Sequence, residues 1–280
     1  MDDGLYMQLM KLLPKSALSS AVGQATRLPV PPAVHHAAIR LFAQRFRVNL
    51  DEAEGRIEDY PTFGQFFTRR LKPGLRPIDP APEALVSPVD GAVSEAGEIT
   101  QGRCLQAKGI TFPVDKLLGD PKAAQRFDGG LFATIYLSPR DYHRIHAPVA
   151  GKITGYTYLP GALWPVNPAS VRNTDALFAI NERLVVWLDT SFGPMAVVAV
   201  GATCVGRIHL SFDAVVTHAQ TPARSRTYDT PIAVEKGGEL GMFEMGSTVI
   251  LLAPPGKVRW EPGLTPSATL RLGQRIGSTR

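Results

Sequence analysis

Cysteine is almost absent: Cys104 and Cys204 are the only two in 280 residues, and neither belongs to a CxxC pair or a Cys/His cluster. That usage argues against a disulfide framework or a structural zinc site and fits a reducing, cytoplasmic environment. Long apolar runs are missing as well. The stretch from Leu5 to Val22 is broken by Lys11, Pro14 and Lys15, and Asp2 and Asp3 ahead of it are unlike a secretory signal. No strong excess of either charge sign is present, since 30 basic residues face 25 acidic ones for a net charge of +5. A balance this modest does not favour nucleic acid as a partner. With 44% hydrophobic and 20% charged residues, the chain is too apolar for a disordered tail and too polar for an integral membrane bundle.

What the sequence has in quantity is glycine, 26 residues, and proline, 24, scattered without a period. Short apolar runs lie between them, including residues 131–137, 184–188, 195–200 and 248–252. Runs of that length bounded by turn formers read as strands. One internal echo stands out: Pro88, Val89, Asp90, Gly91, Ala92, Val93 is matched by Pro148, Val149, Ala150, Gly151, Lys152, Ile153. In each copy proline and glycine set a turn and a β-branched residue begins a strand. Asp90 becomes alanine in the second copy, so the turn does not require it. The expected fold is α+β and mostly β, with a helical region over residues 1–62 that is a candidate for membrane association. A β-sandwich or barrel-like catalytic body with two related β-units follows over residues 63–280.

The N-terminal end is basic. Lys11, Lys15, Arg27, Arg40, Arg45 and Arg47 face only Asp2 and Asp3 within the first 50 residues. After the Pro29, Pro31, Pro32 break, Val34, Ala37, Ala38, Leu41, Phe42 and Phe46 recur at helical spacing, with His36, Arg40, Gln44 and Arg47 on the other side. A basic amphipathic helix of this kind either docks on the protein's own core or lies in an anionic lipid interface.

Reactive groups concentrate in three places: Asp90 in its turn, His143 and His146 in the run Tyr142, His143, Arg144, Ile145, His146, and Ser247 between Gly246 and Thr248. A serine, a histidine and an aspartate can together activate a hydroxyl. Each also has an ordinary structural use, as turn residue, core histidine or cap. The i, i+3 histidines lack a third ligand or an HExxH pattern, which leaves a zinc hydrolase as a weak alternative. The G-x-S-x-G elbow of α/β-hydrolases is absent around Ser247. A lipoyl- or biotinyl-type carrier domain would share the duplicated β-units, but Lys236 is followed by two glycines instead of lying between strand residues. The setting of Ser247 is more distinctive. A glycine-rich tract, Gly237, Gly238, Glu239, Leu240, Gly241, leads to Gly246 and then directly into an apolar strand, and a serine hydroxyl held there can attack the preceding carbonyl in an N-to-O acyl shift.

The triplet Gly246, Ser247, Thr248, preceded by Lys236, Gly237, Glu239, Gly241 and Phe243, closely resembles that of bacterial, pyruvoyl-dependent phosphatidylserine decarboxylase proenzymes. So do the run Asp141, Tyr142, His143, Arg144, Ile145, His146 and the Pro88 to Gly91 turn. Further similar segments are Phe63, Gly64, Phe66, Phe67, Arg69, Leu71, Lys72, Pro73, Arg76, Pro77; Lys108, Gly109; and Phe178, Asn181, Glu182, Arg183. A departure is Met245, where bacterial relatives commonly carry leucine, a volume-conserving exchange.

The resemblance implies an inactive proenzyme that splits between Gly246 and Ser247 into a β chain, 1–246, and an α chain, 247–280, which stay associated. It implies that His146 is the base toward Ser247, that Asp90 orients His146, and that Ser247 becomes a covalent pyruvoyl cofactor. That group would form a Schiff base with phosphatidylserine and release phosphatidylethanolamine and CO2, with His143 handling the carboxylate or the returning proton. No metal is implied. The expected setting is an anionic membrane surface on the cytoplasmic side of the cell membrane, bound peripherally, and a homodimer is compatible with the pattern.

Overall fold

The computed structural model describes residues 3–28, 30–203, 207–217, 222–244 and 247–280, with Ser247 described by its backbone. The four apolar runs become the centre of an antiparallel sheet of eight strands. Its order is Arg224–Val234, Gly151–Leu159, Arg183–Thr190, Gly193–Val200, Ser247–Ala253, Leu131–Leu137, Gly91–Glu98 and Thr269–Leu270. Val185, Val197, Val198, Val249, Ile250, Leu251 and Ile135 are almost fully buried. Both faces of these central strands are covered, which is why they read as continuous apolar runs and not as alternating ones.

Three smaller sheets complete the body. Ala84–Val86, Arg275–Thr279 and Val258–Trp260 form one, Ile208–Leu210, Glu239–Phe243 and Arg144–His146 a second, and Arg103–Ala107 with Ile110–Pro113 a third. The fold is thus the expected mostly-β α+β, with large antiparallel sheets and no closed barrel among the described residues. The outer strands of the large sheet are separated by its full width. Short helices that the fading periodicity after Phe63 did not announce are inserted in the body at Val114–Leu118, Pro121–Gln125, Pro168–Asn173 and Leu177–Ile180. Asp120 and Asn167 cap two of them by accepting backbone N–H bonds.

The internal echo is a physical pairing. Val86 donates its N–H to the Pro148 carbonyl, and His146, at the matching place before the second copy, donates to the Pro88 carbonyl, both at 2.9 Å. The symmetry extends outward. Ser87 exchanges bonds with Gly273 and Gln274 as Ala147 does with Gly237 and Gly238. Gly237 (φ +80°) and Gly273 (φ +85°) both sit in the left-handed region, and a Cβ on either would come within 2.8 Å of the same atom, Cδ1 of Ile78. Only glycine permits this pair of turns around one isoleucine.

The N-terminal region contains helices Asp3–Leu12, Lys15–Ala25 and Pro32–Phe46. The helix expected after the proline break is present, but its apolar face is not the expected one. His35, Ile39 and Ala43 are buried, and Phe42 packs edge-on against Phe63, Phe66 and Phe67. Val34 (59% exposed) and Leu41 (68% exposed) point away from this cluster. The helix carries two apolar stripes, and the aromatic segment Phe63–Phe67 takes the one that includes Phe42.

Candidate active site

One end of the large sheet gathers the reactive residues. Ser247 begins a central strand and stands opposite Leu137 on one neighbour, and Thr248 stands opposite Val200 on the other. The strand that follows Asp90 lies one further over, with Ala92 opposite Tyr136. At a strand spacing of about 4.8 Å, the backbones of Ser247 and Gly91 are therefore roughly 10 Å apart. The chain beyond Leu137 runs through Asp141 to His143, whose carbonyl accepts the Phe243 N–H at 3.0 Å. Segments 137–143 and 243–247 are thus tied at both ends. Met245, Gly246 and Cys204, and with them the placement of the bond between residues 246 and 247, lie outside the described residues.

His146 is 9% exposed, and its Nδ1–H donates to the Gly237 carbonyl at 2.8 Å. A carbonyl only accepts, so the neutral ring carries its proton on Nδ1 and its lone pair on Nε2. Nε2 is buried and has no partner among the described residues. Burial lowers the pKa of this histidine, against the hydrogen bond to Gly237, which raises it. The ring stacks on Tyr142 with centroids 5.7 Å apart. A neutral imidazole with a free lone pair is a general base waiting for a proton.

His143 repeats the pattern more deeply. Its Nδ1–H donates to the Asp141 carbonyl at 2.8 Å, its Nε2 is buried without a partner, and Phe67 lies 4.2 Å away between ring centroids. Burial pushes its pKa down to about 3. Burial thus favours the uncharged ring.

Asp90 does not meet the His146 ring. Its carboxylate takes Arg76 Nε at 2.9 and 3.0 Å, Arg76 Nη2 at 2.6 Å and the Leu272 N–H at 2.8 Å. Arg76 also donates to Glu52 at 2.7 Å. Burial works against the charge on Arg76, but its hydrogen bonds to the two carboxylates outweigh this and raise its pKa. The hydrogen-bonding orienter of His146 is therefore the Gly237 carbonyl, and Asp90 acts on it as a nearby negative charge that raises its pKa. The reason is topological: Asp90 and Leu272 occupy one repeat, and His146 and Gly237 the other.

Two residues that the sequence reading carried only as family matches gain a place here. Arg76 is the partner of Asp90, a link between segments 14 residues apart that no local pattern announces. Glu182 is 3% exposed, and burial pushes its pKa up to about 7 against a hydrogen bond from Thr217. Its carbonyl accepts the Gly201 N–H beside the row that contains Ser247. Among the described residues no group of three His, Cys, Asp or Glu could hold a metal ion. Lys236, the residue on which a carrier domain would depend, donates to the Ala81 carbonyl at 2.6 Å.

An α+β body that places a serine at the head of a central strand and also holds a buried neutral histidine has the parts of an enzyme built around one activated hydroxyl. Residues 63–278 match the phosphatidylserine decarboxylase family. The chain is 61% identical over 277 residues to a phosphatidylserine decarboxylase proenzyme of Myxococcus xanthus (strain DK1622), covering 99% of each. It is 54% identical over 280 residues to one from Anaeromyxobacter sp. (strain K), and 47% identical over 285 aligned positions to one from Azotobacter vinelandii, again covering 99% of each chain. The chain belongs to the phosphatidylserine decarboxylase family.

Proposed function

We propose that this chain is a self-processing decarboxylase that cuts itself between Gly246 and Ser247 and converts phosphatidylserine to phosphatidylethanolamine and CO2. The observation that carries the reading is the buried Nε2 of His146, without a hydrogen-bond partner among the described residues, in a chain whose Ser247 backbone begins a central strand. His146 Nε2 takes the proton of the Ser247 hydroxyl as the oxygen attacks the Gly246 carbonyl carbon. A C–O bond forms, the Gly246–Ser247 C–N bond breaks, and the proton passes to the departing amine. Loss of the Cα proton of residue 247 then expels the Gly246 carboxylate and leaves dehydroalanine, which tautomerises to an imine; water adds and ammonia departs, leaving a pyruvoyl group on residue 247. Asp90 stabilises the imidazolium formed in the first step through its charge.

The site fits such a group. Its surroundings offer two buried imidazole nitrogens without partners, Nε2 of His143 and of His146, and such atoms are what a polar prosthetic group would engage. A bound pyruvoyl group supplies an electrophilic carbonyl for the substrate amine and an acceptor for the electrons left behind by CO2. Of the two roles open to His143, managing the carboxylate suits it better than returning a proton, because an imidazole with a pKa near 3 holds a proton poorly. With Phe67 it makes an uncharged wall against which a carboxylate is disfavoured.

The segment 247–280 supports lasting association of the two pieces. Ser247–Ala253 is hydrogen-bonded to strands on both sides, and Arg275–Thr279 is the middle strand of its sheet. Incubating the purified chain with phosphatidylserine vesicles is expected to yield phosphatidylethanolamine and a fragment comprising residues 247–280. An intact chain that leaves the lipid unchanged would sink the reading.

A peripheral position on the cytoplasmic face of an anionic membrane follows from the substrate, whose acyl chains do not leave a bilayer readily. No described helix is long and apolar enough to cross a membrane. Large apolar side chains are nevertheless exposed along the N-terminal region, among them Leu12 (82%), Leu28 (59%), Val34 (59%) and Leu41 (68%). Arg40, Arg45 and Arg47 lie near the last two, and each basic side chain near anionic headgroups contributes about 1 kcal/mol. Leu12→Asp combined with Leu41→Asp is expected to lower sedimentation with anionic liposomes at least tenfold while self-cleavage in detergent continues; undiminished sedimentation would refute the docking face. Phe42 is unsuitable for this test because it belongs to the internal aromatic cluster.

A further inference from the structure

We infer that the arginine-lined cavity beside Asp90 is the subsite for the substrate's phosphodiester, with Arg69 as its buried anchor. The cavity, about 230 Å³, is lined by Arg47, Arg69, Arg76, Arg140 and Arg271 together with Asp90 and two other carboxylates. These cations are not equally free. Arg76 is committed to Asp90 and Glu52, and Arg140 lies 3.7 Å from Asp141. Asp141 in turn accepts from the Ser138 N–H and hydroxyl, both at 2.7 Å. Arg47, Arg69 and Arg271 make no ion pair among the described residues.

Arg69 is the unusual one. It is 4% exposed, its ring-side neighbour is Phe66 with the guanidinium 5.3 Å from the ring centroid, and Nη2 donates to the Arg140 carbonyl at 3.1 Å. Its Nε and Nη1 are buried with no partner among the described residues. These nitrogens lie on different edges of the planar guanidinium, so they offer two separate charged donors to the oxygens of an anion. A buried guanidinium left half-bonded is a costly arrangement for a core and a ready one for a ligand.

The inference rests on the decarboxylase reading, which supplies a substrate with two anionic groups, a carboxylate and a phosphodiester. Catalysis chooses between them. The carboxylate leaves as neutral CO2, so an arginine fork gripping it would stabilise the ground state more than the transition state. The phosphodiester keeps its charge throughout and gains uniform binding. Placement agrees: Arg47, which lines the cavity, caps helix Pro32–Phe46, and that helix exposes Leu41 six residues earlier. Near neutral pH the pocket then holds the head group's phosphate at the level where headgroups lie.

The test uses the processed enzyme and two water-soluble probes, glycerophosphoethanolamine, which has the phosphodiester but no carboxylate, and L-serine, which has the carboxylate but no phosphate. Binding is measured by calorimetry, with cleavage and decarboxylation followed in parallel. Arg69→Gln is expected to weaken glycerophosphoethanolamine about 10- to 100-fold and raise KM for phosphatidylserine similarly, with kcat little changed. Arg69→Lys should recover part of the affinity. The exposed pair Arg47→Gln with Arg271→Gln provides the arm that does not depend on a buried substitution, and should weaken the same probe while cleaving normally. Unchanged glycerophosphoethanolamine binding in either the Arg69→Gln protein or the exposed-pair protein overturns the subsite while leaving the enzyme reading intact. Loss of L-serine binding alone would assign Arg69 to the carboxylate and overturn it too. A native chain that neither cleaves nor decarboxylates would strike the enzyme reading itself.

Discussion

The His146→Asn protein is expected to purify as one uncut chain of 280 residues, as is Ser247→Ala, under conditions where the native sequence releases residues 247–280. Asparagine is the informative replacement. Its side-chain N–H reaches the place of Nδ1 and can still donate to the Gly237 carbonyl, which is the bond that holds this turn to the second repeat. What it lacks is Nε2, the atom left buried and free. Loss of a positioned base slows proton transfer by about 10²- to 10⁴-fold, enough to turn complete processing into a trace. The pH dependence of cleavage by the native chain provides a second reading. Burial depresses the pKa of His146 below the ordinary value of 6.5, so the neutral, basic form persists as the pH falls through that value. The cleavage rate should stay level across pH 6.5 and fall only at more acid pH. Mass spectrometry of the intact proteins checks both expectations, and full cleavage in the asparagine variant would remove His146 from the mechanism.

A second large effect is expected at Arg76, in stability more than in chemistry. Arg76 and Asp90 have side chains only 9% exposed, and one guanidinium serves both Asp90 and Glu52. Deleting it leaves a carboxylate buried against the Leu272 N–H with no countercharge. Breaking a buried pair from one side costs about 3–5 kcal/mol, well above the median worth of a surface pair. Arg76→Ala should therefore lower Tm by about 10 °C, since 1 kcal/mol shifts a chain of this size by roughly 2–4 °C. Asp90→Asn removes the buried charge instead and keeps an acceptor for Leu272, so its loss should be smaller. A thermal melt in which Arg76→Ala comes within 2 °C of the native protein would show that water, and not the protein, surrounds this pair.

The processing prediction draws on residues visible in one dimension, and the stability prediction does not. Ser247, His146 and Asp90 are conspicuous in sequence because each sits in an unusual local setting, a glycine before an apolar strand, a histidine pair, and an acid in one copy of a repeat where the other has alanine. Arg69 and Arg76 sit among 30 basic residues with nothing local to set them apart beyond a shared family segment. Their roles come from being buried beside carboxylates and carbonyls supplied by distant segments. The helix at residues 32–46 shows the same limit from the apolar side. Its periodicity was sufficient to announce a helix, yet it carries two apolar stripes, and the docked one could be identified only from the position of Phe63, Phe66 and Phe67.

Sequence alone determined the class of fold and the core strands, and it singled out the bond before Ser247 that we propose is cut. Turn formers and β-branched runs act over a few residues, and so does the reactivity of a serine following glycine. Tertiary structure decided which group orients His146, where the charge of Asp90 is spent, which face of the N-terminal helix is free, and where an unpaired arginine waits. Each of those is a contact between segments far apart in the chain, set by how two related β-units close on one another around Ile78. Such pairing depends on distance in space, which a pattern along the chain does not encode.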